Sequence, residues 1–317
     1  MKLTVDCALD GQLLGLQSNA ALAYLLSKAK ITQLNTPLEA LICAQFGLPP
    51  CSEIEPDYPI AAIAAAADGL DVSDAYWLRA DPVNLVLQRD CFSLGEPVPL
   101  PVEITDAEKI IASLNQHFSP DGLTFFIGDS GACYVRSTQA LQIKTTLPSV
   151  AAGKNIHPFM PQGLAGGKWL SVLNEIQMLL HEHPVNLARE AKGERTVNSL
   201  WLSGGGQMPQ SSALKNDADL IVANSAFYAG LARLSAIQYQ SLPADLNSLL
   251  SDENQHVRLQ LTDVQNSFEL MLTALKNRTI SQLSLNLGFY EKSLVAEITP
   301  LDIYKFWRSN KPILNLI

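Results

Sequence analysis

Apolar residues recur at helical spacing through the first quarter of the chain. NAALAYLLSKAK from residue 19, TPLEALICAQFGL from 36 and PIAAIAAAADGL from 59 each predict a helix. Leu38, Leu41, Ile42 and Phe46 repeat every three to four positions, and Pro37 suits a first helical position. YWLRADPVNLVLQRD (76–90) changes to alternation, which predicts extended structure interrupted at Asp81-Pro82. LGEPVPLP (94–101) reads as a proline-rich connector. Thr105 with Glu108 has capping-box spacing and predicts a helix to about His117. LTFFIGDSGACYVRS predicts two strands joined by the turn Gly128-Asp129-Ser130-Gly131. AAGKNIHPFMPQGLAGG (151–167) reads as a linker or mobile loop.

The second half has a clearer rhythm. From Lys168 to about His181, Trp169, Val172, Leu173, Ile176, Leu179 and Leu180 form one apolar stripe, and Pro184 stops the helix. NLAREAKG predicts a second helix capped by Asn186 and ended by Gly193. VNSLWLS is a strand running into Gly204-Gly205-Gly206. Strands at 219–224, 257–262 and 282–289 then alternate with helices around 225–234, 263–276 and 301–308. That order predicts an α/β fold with a mainly parallel sheet.

Composition narrows the function. The chain has 317 residues, 47% hydrophobic and 17% charged, so a large core is available. Net charge is −9 and no cluster of Lys and Arg forms a basic stripe, which argues against a nucleic-acid partner. Cys7, Cys43, Cys51, Cys91 and Cys133 are odd in number and lack CxxC spacing, pointing to a reducing, cytoplasmic setting. MKLTVDCALDGQ lacks signal-peptide character and 59–70 is too short to span a bilayer, so no membrane association is expected.

The chemistry concentrates in HEHPVNLAREAKGERTVNSLWLSGGG (181–206). His181 and His183 fall at a helix end, where metal ligation competes with a dipole-facing or ligand-orienting role. Gly204 and Gly205 follow a strand, so backbone N–H groups could meet a phosphate, or they could simply form a tight turn. The run lacks the GxxxxGK[ST] and GxGxxG patterns. Arg189 and Arg195 lie near Asn186 and Asn198 and could build an anion-binding corner, or pair with neighbouring acids. Arg79 and Arg89 flank ADPVNLVLQ, as an anion grip or as a surface pair. No GxSxG, HExxH or His-placed Cys offers a nucleophile.

HEHPVNLAREAKGERTVNSLWLSGGGQMP resembles the archaeal-type cofactor-independent phosphoglycerate mutases of the alkaline-phosphatase-like superfamily. YWLRADPVNL…QRD resembles their Arg-containing strand, GKNIHPF stands where they carry a loop ending in Asp-Pro-His, and TPLEAL is loosely similar to an early Thr-Pro helix. WLRADPV, LNEIQMLLHEHPVN and NSLWLSGGG look like a bacterial group of RpfE-type regulatory proteins. The resemblance implies an alkaline-phosphatase-like core from 1–74 plus 161–317 and an inserted smaller α+β lobe from 75–160, with GKNIHPFMPQGLAGG as the return hinge and a ligand in the cleft between them. It also implies ligand contacts from Arg79, Asp81, Asn84, Arg89, His157, His183, Asn186, Arg189, Asn198, Gly204 and Gly205.

The chain departs from that family's metal chemistry. The mutases hold two Mn²⁺-type ions with Asp and His from both chain ends, beside a phosphoryl-carrying serine. Here the N-terminus offers Asp6 and Asp10-Gly11, the only histidine after residue 206 is His256, and Ser203 replaces the family's loop arginine. The expectation is therefore a catalytically degenerate, regulatory relative without metal ligands or cofactor. It would bind a phosphorylated or carboxylated small molecule or a protein partner. The alternatives are an active Mn- or Mg-dependent mutase or phosphatase, and a pure protein-interaction module.

Overall fold

The computed structural model describes residues 1–9, 19–51, 57–210, 214–215, 218–251, 255–261 and 267–308. In chain order the elements are β1 (Lys2–Ala8), α1 (Ala20–Lys28), β2 (Lys30–Leu34), α2 (Leu38–Gln45), α3 (Ile60–Ala67), β3 (Tyr76–Val83), β4 (Leu85–Leu87), β5 (Phe92–Leu94) and α4 (Ile104–Phe118). They continue with β6 (Leu123–Ile127), β7 (Cys133–Ser137), α5 (Pro148–Ala151), α6 (Gly166–His181), α7 (Pro184–Ala191), β8 (Ser199–Gly206), β9 (Leu220–Val222), α8 (Ala226–Leu234), β10 (Gln238–Gln240), β11 (His256–Leu261), α9 (Ser267–Lys276), β12 (Gln282–Phe289) and β13 (Lys292–Ile298).

Two compact units divide the chain: Met1–Gly47 with Ser211–Ile317, and Leu48–Gln210. The first is built on a seven-stranded sheet in the order β10-β9-β11-β1-β12-β13-β2. Strands from β10 to β12 run parallel, and β13 and β2 close the far edge antiparallel. β1 pairs on both sides, so Leu3, Val5 and Cys7 are buried, and α1 and α9 add Leu22, Leu25, Phe268 and Leu275 to the same core. The fold class is thus α/β with a largely parallel sheet, as the strand–helix alternation predicts.

The second unit carries a four-stranded antiparallel sheet, β6-β7-β3-β8. α4 and α6 cover one face through Ile110, Leu114, Trp169, Leu173 and Ile176. The other face meets a smaller cluster of Val83, Leu94, Ala151, Ile156 and Trp201. The boundaries of this insertion lie well outside the expected 75–160. β8 pairs with β3, and α6 shares their core, which brings 161–210 into the insert. The 151–167 segment accordingly lies inside one unit, not at a hinge; the chain crosses between units at 47/48 and 210/211.

Four local expectations are also corrected. β3 runs unbroken through Pro82, which stands opposite Leu200 while its carbonyl accepts from Leu100 N at 2.8 Å. α4 starts one residue before Thr105, behind a Glu103 cap with no side-chain bond, so the capping box does not form. Pro184 opens α7, and His183, not Asn186, is its cap. The 301–308 stretch holds a single helical turn at Asp302–Tyr304. Among the described residues, no helix is long and apolar enough to cross a membrane.

Candidate functional site

His183 sits in the joint between α6 and α7 and is 7% exposed. Its Nδ1 accepts from Val185 N at 3.3 Å, and its Nε2 lies 3.0 Å from Ser113 Oγ. Those partners fix the tautomer: with Nδ1 accepting, the proton resides on Nε2 and points at Ser113, whose hydroxyl donates to Lys109 O at 3.1 Å. A base that activates serine needs the opposite arrangement, with the facing nitrogen free to accept. Burial lowers the imidazole below its ordinary value of 6.5, consistent with a neutral cap. His183 is built as a helix cap, and the Ser113–His183 contact is not a nucleophile–base pair.

The neighbouring candidates are consumed by backbone. Asn186, 1% exposed, donates to Leu180 O (2.7 Å) and Val197 O (2.8 Å) and accepts from Val197 N (2.9 Å). It ties the end of α6 to the approach to β8. Arg189 donates from Nε to Arg195 O at 2.7 Å and from Nη2 to Pro101 O at 3.3 Å, and its Nη1 lies 3.6 Å from Glu194. Asn198 grips Leu85 with both ends of its side-chain amide, Oδ1 accepting from Leu85 N and Nδ2 donating to Leu85 O, and Asn84 donates to Thr196 O at 2.8 Å. The structure thus brings Asn186, Arg189, Asn198 and Asn84 together, but as a clasp that fastens β3, α7 and β8.

Arg79 and Asp81 face the same side of β3. The guanidinium donates from Nε at 3.2 Å and, more closely, from Nη2 to one Asp81 oxygen, and it stacks 5.1 Å from the Tyr134 ring. Burial raises the Asp81 carboxyl, and the adjacent Arg79 charge pulls it back down. Tyr134 passes the network on: its hydroxyl donates to Asp68 Oδ2 at 3.0 Å, which also accepts from Ser130 Oγ at 2.7 Å, while Asp68 Oδ1 accepts from Ser130 N at 2.7 Å. Asp68 and Tyr134 carried no periodic or motif signal in the sequence; only the approach of the β6–β7 turn to the end of α3 reveals them. Arg89 is exposed in the β4–β5 turn, and His157 is exposed on the helical turn His157–Phe159. No described hydrogen bond or ion pair joins either one to Arg79.

The glycine run has a packing reason. Register slips between Trp77 and Arg79 opposite β8, a bulge at which Gly204 adopts φ +64°. A Cβ on Gly204 would stand 2.9 Å from Ile60 Cβ, and one on Gly205 2.5 Å from the Tyr76 hydroxyl. These glycines admit α3 and Tyr76 at close range.

In the first unit, Asp6 lies near the centre of the parallel sheet. It accepts from Arg258 Nε (2.6 Å) and Nη2 (3.0 Å), Asn286 Nδ2 (2.7 Å) and the Tyr228 hydroxyl (3.0 Å). Gln45 links to the same Arg258 and Asn286 side chains. His256 meets Thr4 Oγ1 at 3.0 Å. Asp10 and Gly11 lie outside the described residues. Among the described residues, no three His, Cys, Asp or Glu side chains gather as a metal site.

No family model matches the chain. A 2,3-bisphosphoglycerate-independent phosphoglycerate mutase from Methanosarcina mazei is 29% identical over 110 residues, 34% of this chain and 28% of the relative. A probable enzyme of the same name from Geobacter sulfurreducens is 22% identical over 154 residues, 48% and 38% of the two chains. The matched stretches thus span well under half the length of these relatives. A cofactor-independent phosphoglycerate mutase from Thermoplasma acidophilum is similar in structure at a TM-score of 0.39 and 16% identity, covering 94% of this chain and 89% of that one. A Pyrococcus horikoshii protein gives 0.46 and 13%, over 94% and 87%. In sequence, about a third of the chain is similar to cofactor-independent phosphoglycerate mutases.

Proposed function

We propose that this chain is a regulatory, mutase-like protein of the RpfE type that binds its target without metal-dependent phosphoryl transfer. One observation carries the reading: all four acceptor positions of the Asp6 carboxylate are occupied by Arg258, Asn286 and Tyr228. A carboxylate engaged in this way has no lone pair for a cation, and Arg258 already balances its charge. Among the described residues, the donor set does not fit a pair of divalent ions. The competing reading, an active mutase or phosphatase, is favoured by the names of the sequence relatives.

The two readings separate on purified full-length protein incubated with Mn²⁺. Expected are substoichiometric metal after desalting and no conversion of 3-phosphoglycerate to 2-phosphoglycerate. Two tightly held ions per chain, with turnover abolished by chelator, overturn the proposal. As ligand we favour a phosphorylated or carboxylated metabolite over a protein partner, because the Arg79 side chain stays 23% exposed. Thermal stabilisation by 3-phosphoglycerate that disappears in Arg79→Ala is the expected result. Stabilisation unchanged by that substitution, or absent altogether, moves the binding role to a protein partner.

A further inference from the structure

A cavity of about 520 Å³ opens within the second unit, and none of the expected ligand contacts is among its lining residues. That volume falls within the roughly 300–1,000 Å³ typical of small-molecule sites. Tyr76, Asp57, Cys51, Gln207 and Leu141 are part of its wall, alongside four prolines. Tyr76 is 6% exposed and lines the cavity, and no described residue hydrogen-bonds its hydroxyl. Glycine at 205 keeps that hydroxyl uncovered, since a side chain there would fall on it. An acceptor brought in by a ligand would give that hydroxyl a hydrogen-bond partner inside the cavity.

The charges around the cavity select the ligand. Among the described residues, no Lys, Arg or His lines it. Asp57, the one acidic side chain among the described residues of the wall, accepts from Tyr58 N (2.9 Å), Thr145 N (3.1 Å) and the Thr145 hydroxyl. An anion entering here would face that carboxylate with no counter-charge among the described residues, and a cation would compete with the donors already bound to it. Burial, reinforced by Asp57 and Cys51, raises the Tyr76 hydroxyl far above the ordinary phenol range, so it serves as a donor. We propose that this cavity binds an uncharged, carbonyl-bearing organic molecule whose oxygen accepts from the Tyr76 hydroxyl.

Three probes of one shape test the assignment on the full chain by saturation-transfer NMR: benzamide, benzoate and benzylamine. Saturable benzamide binding is expected, with both charged analogues much weaker. Tyr76→Phe keeps the ring and should weaken benzamide about fivefold to tenfold with an unchanged melting curve. Gln207→Trp, at an exposed position in the wall, should block entry and abolish binding. The proposal falls if benzamide shows no saturable binding, if Tyr76→Phe binds like wild type, or if a charged analogue binds as well or better. It is independent of the regulatory reading, since metal content and mutase turnover are untouched by these results.

Discussion

Arg258 meets Asp6 in the interior of the parallel sheet, and taking the arginine away would strand a buried carboxylate. Arg258→Met, which keeps much of the apolar stem, should therefore cost about 3–5 kcal/mol. Urea unfolding followed by far-ultraviolet circular dichroism measures it, and a loss below about 1 kcal/mol would show the pair to be dispensable. His183 makes a pH-dependent contribution of opposite origin. Burial holds its folded pKa below the ordinary 6.5, so the unfolded chain takes up the proton first as pH falls. The stability it contributes is present above about pH 6.5 and is lost as pH falls through the lowered folded value. His183→Asn retains a capping side chain and should flatten that acid-side decline. Urea midpoints at several pH values from about 7.5 to about 5 check this, and an equally steep decline in the variant would assign the slope elsewhere. The sequence marked His183, Asn186 and Arg189 as unusual, and they are, but their partners are carbonyls and amides that no sequence pattern displays.

At the level of elements, the bulge in β8 decides how α3 approaches the insert's sheet. Gly204→Ala forces a Cβ into left-handed backbone and toward Ile60, and should cost about 2–3 kcal/mol. A thermal melt compared with wild type measures it; no shift would mean that α3 can back away. The long helices were legible because their apolar stripes are regular: α6 was expected from Lys168 and begins at Gly166. Several strands were missed. β1 contains the alternation Leu3, Val5, Cys7, but a buried Asp6 on the opposite face disguises it as a polar-rich start. β2 and β13 are edge and near-edge strands with mixed exposure, which weakens a period-two signal.

For the whole molecule, the two apolar clusters of the insert are drawn entirely from within 48–210. A fragment of those residues should fold alone and unfold cooperatively. Its buried Trp77, Trp169 and Trp201 supply the readout, a retained near-ultraviolet dichroism signal. A fragment lacking that signal would show that the insert depends on the rest of the chain. The unit of 48–210 differs from the expected lobe of 75–160 because the strand partner of β3 lies more than a hundred residues away in sequence.

What the chain's order of residues determined was local. Periodicity set the helices, alternation with helices set a parallel sheet, and the Asn- and Gly-rich run after α6 marked a place where backbone needs special partners. What only the tertiary structure decided was pairing. Asp6 could have been a ligand or half of an ion pair, Asn186 a cap or a clasp, Tyr76 a core ring or a donor in a cavity. Each choice depends on which distant group comes within about 3 Å, and hydrogen bonding and charge compensation at that range are set by chain crossings that a linear pattern does not encode.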